Sequence, residues 1–108
     1  MRTLWVKKEF FDLVVSGKKT LEVRVFYASL RTIKKQDILN LNNRFPIRVK
    51  DIRTYQNFEE MLSREDSSKI FPGESSEKIL SLLRSFYPPE KERLGVIVFE
   101  VDAQNKRN

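Results

Sequence analysis

The residues best suited to chemistry lie together in residues 16–24, whose sequence is Ser-Gly-Lys-Lys-Thr-Leu-Glu-Val-Arg. A turn at the glycine supplies the ammonium groups of Lys18 and Lys19. The strand that follows presents Glu22 and Arg24 on one face, because side chains two apart along a strand point the same way. A carboxylate accepts hydrogen bonds from the exocyclic amine of a base, and a guanidinium offers a planar fork of donors. The segment therefore predicts a cleft that holds a base, with Lys18 and Arg24 in contact with the substrate.

The same pattern also has a purely structural interpretation. Glu22 and Arg24 could pair with each other on a solvated face of the sheet and line no cleft at all. Both interpretations stay open at this point, because spacing along a strand does not say what covers its polar face.

The composition excludes several classes of enzyme. The chain has no cysteine and no histidine. Zinc sites built from His and Cys, Ser-His-Asp hydrolases, Cys-His proteases and disulfide frameworks are therefore ruled out. We expect a protein that uses no metal and no cofactor.

The charge is distributed unevenly along the chain. Residues 1–54 carry 13 Lys and Arg against 5 Asp and Glu, whereas residues 55–108 carry 8 against 10, and the whole chain has a net charge of +6. A basic half beside an acidic half is typical of a protein that meets a polyanion such as RNA. For any single lysine, solubility is a sufficient explanation.

No segment indicates a membrane protein. The longest apolar stretches, such as residues 94–99, are too short to cross a bilayer, and the N-terminus lacks the apolar core of a signal peptide. We expect a cytoplasmic protein with no membrane partner.

The elements that would position residues 16–24 follow from hydrophobic spacing. Residues 3–6 suit a first strand, and residues 8–16 have the three- and four-residue spacing of a helix with one buried face. Gly17 suits the C-terminal cap, where positive φ is tolerated. Residues 20–26 then alternate as a strand, with its apolar face at Leu21, Val23 and Val25.

The rest of the chain predicts a small α+β domain. After a basic loop, residues 27–35, two strands at 37–41 and 45–55 are joined by an asparagine turn at 42–44. A bulge in the second strand would keep its apolar residues inward. A helix capped by Asn57 follows.

The last third predicts one more helix and one more strand. One helical turn at residues 67–70 precedes an interruption of secondary structure at 71–73. A helix that begins at 75–78 ends before Pro88-Pro89. A strand at 95–101 is apolar enough to be central, and residues 102–108 form a polar tail that we expect to be frayed. We predict one domain, a curled sheet or barrel with helices on one side.

The aromatic residues divide into core and candidate ligand contacts. The candidates for stacking on a base are Trp5, Tyr27, Tyr55 and Tyr87, and Tyr27 is the best of them because it directly follows the charged strand. Trp5 is predicted to be half in the core, and the residues predicted to be fully in the core are Phe10, Phe11, Phe58, Phe86 and Phe99.

The pattern Gly17-x-Lys19-Thr20-x-Glu22-x-Arg24, preceded by a helix and followed by a basic loop, resembles the signature of the ASCH domain. This domain is a relative of the PUA RNA-binding fold. Residues 70–73, the helix to Phe86-Tyr87-Pro88 and the last strand are similar to small single-domain ASCH proteins of bacteria and archaea, and the likeness covers residues 4–101. The resemblance implies one ASCH domain over residues 1–108, a PUA-like β-barrel with flanking helices.

The resemblance also implies a set of catalytic residues. Some ASCH proteins resemble N4-acetylcytidine amidohydrolases, in which a lysine, a threonine and a glutamate act together. Lys19 holds the lysine position, but Glu22 stands where that family has threonine. Thr20 is nearby and inherits the role only weakly. The family's glutamate would come from the segment around residues 71–75, where Glu74 is the only acid.

With Glu22 in the threonine position, the carboxylate would take a proton from water, while Lys19 would stabilise the oxyanion and protonate the leaving amine. General acid–base catalysis of this kind accelerates a reaction roughly 10²–10⁴-fold. We therefore expect an amidohydrolase that acts on N4-acylated cytidine, with a modified pyrimidine nucleoside or RNA as its partner. The alternatives are an RNA-binding module without catalysis and a ribonuclease.

Overall fold

A five-stranded mixed sheet is the frame of the fold, and the computed structural model describes it within residues 2–103. The strands are β1 (Thr3–Leu4), β2 (Leu21–Val25), β3 (Ile38–Leu41), β4 (Phe45–Tyr55) and β5 (Val96–Ala103). They lie in the order β1-β3-β4-β5-β2. β1 runs parallel to β3 and every other neighbouring pair is antiparallel. β2, which carries the charged motif, is therefore an edge strand.

The helices of the described residues are α1 (Lys8–Val15), α2 (Phe58–Arg64), α3 (Ser76–Phe86) and α4 (Pro89–Glu92), with 3₁₀ turns at Ala28–Thr32 and Ser67–Lys69. The Asn57 side chain accepts from Glu60 N at 2.8 Å, and Ser75 Oγ accepts from Lys78 N at 3.1 Å. These contacts satisfy backbone donors that a helix start leaves free. Within residues 2–103 no helix is both long and apolar enough to cross a membrane.

The hydrophobic core forms two clusters on opposite faces of the sheet. Along β5, Ile97 and Phe99 enter one cluster, which we call the α1-side cluster because α1 also packs there. Val96 and Val98 enter the other, the α3-side cluster, together with side chains of α2 and α3. Alternation along a strand explains the division, because successive side chains point to opposite faces.

Two predicted local features are confirmed in the β3–β4 hairpin. Asn42 and Asn43 have φ of 51° and 59°, the left-handed conformation that a tight hairpin turn needs. The pairing of β4 with β5 shifts between Val49 and Asp51, which is the expected bulge.

The α+β class is confirmed, but the sheet is not a closed barrel. β1 has only two residues and pairs with β3 alone, while β2 pairs with β5 alone, so the two edge strands share no backbone ladder in the described residues. The expectation that helices would cover one side is also wrong, because α1 packs on one face of the sheet and α2 and α3 pack on the other.

Several boundaries differ from the prediction, and the first strand, β1, ends at Leu4 rather than at residue 6. Pro88-Pro89 ends α3, but Pro89 also opens α4, since proline is well suited to the first position of a helix. Asp102 and Ala103 belong to β5 rather than to a frayed tail, and the rest of that predicted tail, residues 104–108, lies outside the described residues.

Candidate functional site

A cleft of about 380 Å³ opens beside the edge strand β2, between α1, the Ile70-Phe71 segment and the end of α3. Its charged lining consists of Lys7, Lys19, Glu22 and Arg24, and its aromatic lining consists of Trp5, Phe10, Phe71, Phe86 and Tyr87. This mixture of an apolar wall and a few convergent polar groups is typical of small-molecule sites.

The turn after α1 aims Lys19 into the molecule. Gly17 has φ of +83°, and the backbone N–H groups of Lys18 and Lys19 both donate to Leu13 O, at 3.0 and 2.9 Å. This left-handed glycine and the bonds around it end the helix. Lys18 is left exposed, whereas Lys19 is only 3% exposed.

The Lys19 ammonium has three acceptors around it. Its Nζ donates to Ile70 O at 2.7 Å and to Leu21 O at 2.9 Å, and it lies 3.3 Å from Glu22 Oε1. The Phe71 ring centroid lies 4.7 Å from the same nitrogen. Two of the three ammonium protons therefore go to backbone carbonyls, and the contact with Glu22 is an ion pair. Lys19 therefore links β2 to the Ile70 segment and also balances the charge of Glu22.

Glu22 is a buried carboxylate that remains ionised. Burial acts to raise its pKa, but the charges of Lys19 and Arg24 and the hydrogen bond from Arg24 together hold the pKa below its usual value. Its Oε2 accepts from Arg24 Nε at 2.7 Å. Its Oε1 accepts no hydrogen bond from any residue within 2–103. The cleft thus contains a charged acceptor that a ligand N–H could satisfy.

Arg24 joins the two edges of the open sheet. Its Nη2 donates to Trp5 O in a short hydrogen bond, so a side chain of β2 reaches the segment that follows β1. The next residue, Val6, is bound through both backbone groups by the Asn42 side chain, with Val6 N to Asn42 Oδ1 at 2.8 Å and Asn42 Nδ2 to Val6 O at 3.1 Å. The backbone of Trp5 is therefore held from both sides.

The aromatic rim of the cleft consists of Trp5 and Phe86. Trp5 is 60% exposed and Phe86 is 37% exposed, although both were predicted to lie wholly or partly in the core. The Lys7 ammonium lies 4.5 Å from the centroid of the Phe86 ring. Large exposed rings at the mouth of a cleft are suited to stacking on a ligand ring.

Of the residues that the sequence singled out, the structure brings together Lys19, Glu22 and Arg24. The interpretation of Glu22 and Arg24 as a solvated surface pair is therefore wrong, because they do pair but within the cleft. Lys18 and Glu74 are exposed and do not line the cleft.

Thr20 and Tyr27 also lie outside the cleft lining. Thr20 comes one residue before β2 and borders a separate depression with Gly17 and Val101. The Tyr27 ring packs toward Tyr87, with ring centroids 6.4 Å apart. Tyr87 is the tyrosine that lines the cleft, and burial raises the pKa of its phenol.

Of the four stacking candidates, Trp5 and Tyr87 line the cleft, although Trp5 was predicted to be half in the core. Sequence reasoning missed Phe86 and the wall formed by Ile70 and Phe71. Trp5 lies between Leu4 and Val6 in the predicted first strand, and Phe86 continues the apolar face of α3, so both have the pattern of core residues. Only the packing of α1 and α3 at the edge of the sheet leaves them partly uncovered. The apolar triplet Ile70-Phe71-Pro72 could have pointed to this wall, but it was interpreted as an interruption of the secondary structure.

Comparison with known proteins identifies the family. The profile of the ASCH domain matches residues 4–102. The crystal structure of hypothetical protein PH0355 is similar with a TM-score of 0.89 and 33% sequence identity, covering 95% of this chain and 99% of that one. The solution NMR structure of protein PF0455 from Pyrococcus furiosus is similar with a TM-score of 0.82 and 32% identity, covering 97% and 98%. A search of curated proteins found no match.

The family profile and the two solved structures agree with the fold described above. The resemblance seen in residues 17–24 therefore extends over nearly the whole chain. This chain belongs to the ASCH domain family and has its PUA-like fold.

Proposed function

We propose that the cleft binds one unpaired base, of a nucleoside or of RNA, through its Watson–Crick edge and its ring face. The observation that carries this proposal is the Glu22 Oε1 atom, a buried and ionised acceptor with no hydrogen bond from residues 2–103. The Lys19 ammonium lies 3.3 Å from this atom as an ion pair but donates no hydrogen bond to it. A buried acceptor without a hydrogen bond is costly, and a ligand N–H in the cleft would lower that cost.

The neighbouring guanidinium favours a base over a simple amine. Within residues 2–103, the hydrogen bonds of Arg24 use Nε and Nη2, which leaves Nη1 to donate to an acceptor next to the ligand N–H. A donor beside an acceptor is the pattern that the Watson–Crick edges of cytosine and uracil present, and proteins read this edge on unpaired bases. The cleft volume of about 380 Å³ is within the range of small-molecule pockets.

Binding can be measured through the protein's own fluorescence. Trp5 is the single tryptophan of the chain and lies on the cleft rim. We expect titration with cytidine, uridine and N4-acetylcytidine to quench this fluorescence for at least one of them, because a base would stack near the indole. Glu22→Gln removes the charged acceptor and is expected to weaken binding about tenfold or more, since a hydrogen bond to a charged group is worth about 1.5–3 kcal/mol.

The matched control is Glu74→Gln, which makes the same chemical change at an exposed acid outside the cleft. We expect its affinity to equal that of the wild type. Absence of quenching by all three nucleosides, together with the absence of binding in a calorimetric titration, would reject the proposal. Equal loss of affinity in both variants would reject the role of Glu22.

Hydrolysis of N4-acylcytidine is a second candidate, and the 3.3 Å approach of Lys19 Nζ to Glu22 Oε1 favours it. In that reaction Glu22 would take a proton from water as the water oxygen bonds to the acyl carbon. The C–N bond would then break, and the amine would leave with a proton from Lys19. Two observations weigh against it: the Lys19 donors already serve two carbonyls, and the lowered pKa makes Glu22 a weak base at neutral pH.

Ultraviolet absorbance of N4-acetylcytidine mixed with the purified protein tests hydrolysis directly. If the reaction occurs, we expect Glu22→Gln and Lys19→Arg to lose it, while Thr20→Ala retains it because Thr20 lies outside the cleft. Tight binding without turnover would reject hydrolysis and leave the binding proposal intact.

A further inference from the structure

The backbone of β2 has one side that faces β5 and one side that faces the open edge of the sheet. Thr20 O accepts from Val101 N at 2.8 Å, and Phe26 N donates to Gly95 O at 2.9 Å. These two bonds fix the alternation of the antiparallel ladder, in which every second residue exchanges its N–H and C=O with the partner strand. The residues of β2 whose N–H and C=O point away from β5 are therefore Leu21, Val23 and Val25.

The two outer positions of this edge are already occupied. Leu21 O accepts from Lys19 Nζ at 2.9 Å, and Val25 O accepts from Tyr27 N at 2.8 Å. Val23 is different, because within the described part of the chain neither its N–H nor its C=O has a hydrogen-bond partner. It is also the one of these three residues that lines the cleft. A main-chain donor and a main-chain acceptor thus lie side by side in the cleft wall.

We propose that Val23 is a specificity-determining residue of the cleft and that it acts through its main chain. Its N–H and C=O together bind a planar ring that carries an N–H beside an acceptor on one edge, the arrangement of an amide or an amidine. The inference rests on the proposed function, because it takes the base in the cleft as the ligand. It adds the group that reads the edge of the ring in the plane of the sheet.

A ring edge of this kind imitates a neighbouring strand. In a hydrogen-bonded antiparallel pair, each residue receives one N–H and one C=O from the residue opposite. An amide or amidine edge offers a donor and an acceptor in the same way, so Val23 can pair with it while the sheet keeps its geometry. Val23 is only 6% exposed. Because buried backbone groups without partners are costly, the ring would stabilise both of them.

The side chains on either side of Val23 support the same placement. Glu22 and Arg24 lie opposite Phe99 and Ile97 of β5, which belong to the α1-side cluster. Side chains of directly opposite residues share a face of the sheet, so both charged groups lie on the α1 side. A ring that pairs with the main chain of Val23 therefore lies beside the Glu22 carboxylate. Three consecutive residues, 22–24, contribute hydrogen-bonding groups to one ligand.

The shortness of the open edge argues against a peptide as the occupant. An added β-strand pairs with alternate residues along an edge, so it would need the outward groups of Leu21 and Val25 as well as those of Val23. The carbonyls of Leu21 and Val25 are already bonded within the chain. One open pair is enough for a ring but not for a strand.

Amide hydrogen exchange, followed by NMR on isotope-labelled protein, tests the contact. The N–H groups of Glu22 and Arg24 face β5, whereas that of Val23 does not, so the Val23 amide should exchange at least about tenfold faster than its two neighbours. The probe is cytidine or uridine at saturation, whichever quenches Trp5 more strongly. It should slow the exchange of the Val23 amide and move its proton resonance downfield, while the exchange of the two neighbours changes little.

Val23→Pro and Val23→Ala separate the main chain from the side chain. Proline removes the N–H, and an edge strand tolerates proline where that N–H points outward. Alanine shortens the side chain and keeps the N–H, so it is the matched control. We expect Val23→Pro to bind the nucleoside roughly two- to tenfold more weakly than Val23→Ala, which is the effect of one neutral hydrogen bond. The exchange experiment on the wild type decides the question if the proline variant does not fold.

The two proposals fail in different ways. If a nucleoside binds and Glu22→Gln weakens its binding, but the nucleoside leaves the exchange of the Val23 amide unchanged, the main-chain contact is overturned and the base site stands. A folded Val23→Pro that binds as well as Val23→Ala would also overturn it. If this exchange slows with rising protein concentration rather than with nucleoside, the edge pairs with a second copy of the chain and the ligand assignment is wrong. If no nucleoside binds, both proposals are wrong.

Discussion

At the scale of single residues, the cleft depends on a buried charge cluster of Lys19, Glu22 and Arg24. Each charge has a partner, but Glu22 keeps one oxygen free of hydrogen bonds from the described residues. Buried ion pairs contribute less to stability than their Coulomb energy implies, because both ions lose hydration. We therefore interpret the cluster as a device that keeps an ionised acceptor in place rather than as a source of stability.

The lowered pKa of Glu22 predicts how stability depends on pH. A carboxylate whose pKa is lower in the folded than in the unfolded chain adds stability above its unfolded value, 4.5, and loses it as pH falls through the folded pKa. The free energy of unfolding of wild type relative to Glu22→Gln should therefore be highest near neutral pH and decline below 4.5. Urea unfolding at a series of pH values measures this difference, and a difference independent of pH would contradict the prediction.

At the scale of elements, the cleft needs helices that begin at defined positions. α3 contributes Leu83 and Phe86 to the cleft wall, and its start is capped by Ser75. α2 packs in the same cluster as α3 and is capped by Asn57. Because a cap fixes where a helix starts, it also fixes which residues its last turn presents to the cleft.

Removing either cap should destabilise the protein measurably. Asn57→Ala and Ser75→Ala each remove a side-chain acceptor from a backbone N–H, and each should lower the free energy of unfolding by about 1 kcal/mol. Ser81→Ala, at an exposed position inside α3, is the control and should have little effect or stabilise slightly. Chemical denaturation of the three variants measures this, and equal effects at positions 75 and 81 would argue against the capping role.

Much of this element structure was predictable because local chemistry determines it. Gly17, the Asn42-Asn43 pair and Asn57 each have a side chain, or lack one, that suits one backbone conformation, and each lies where the sequence predicted. The convergence of Lys19 with Glu22 followed from the turn and the strand spacing. The rim did not, because the exposure of Trp5 depends on how distant elements pack around it.

At the scale of the whole molecule, the sheet is shared by two clusters on its two faces. β5 supplies Phe99 to the α1-side cluster and Val98 to the α3-side cluster. If β5 left the sheet, the apolar side chains of both clusters would be exposed. This sharing could not be read from the near-continuous apolar run of β5, which indicated burial but not two separate layers.

The shared strand predicts that both clusters unfold together. Ile97→Val in the α1-side cluster and Ile79→Val in the α3-side cluster should each lower the free energy of unfolding by about 0.5–1.5 kcal/mol. In both variants, far-ultraviolet circular dichroism and Trp5 fluorescence should give the same midpoint. A variant that shifts one signal and leaves the other unchanged would show that the faces unfold separately.

The contacts across the open edge of the sheet affect the entropic cost of binding a ligand in the cleft. The side chains of Arg24 and Asn42 form hydrogen bonds with the backbone of Trp5 and Val6. In the described residues, no backbone hydrogen bonds of a sheet join β1 to β2 there. The ring of a bound base would therefore stack on the Trp5 indole, and the Trp5 backbone is already held in place. Because no loop has to be ordered on binding, the Trp5 side chain loses only its rotamer freedom, which costs about 0.5–1.5 kcal/mol.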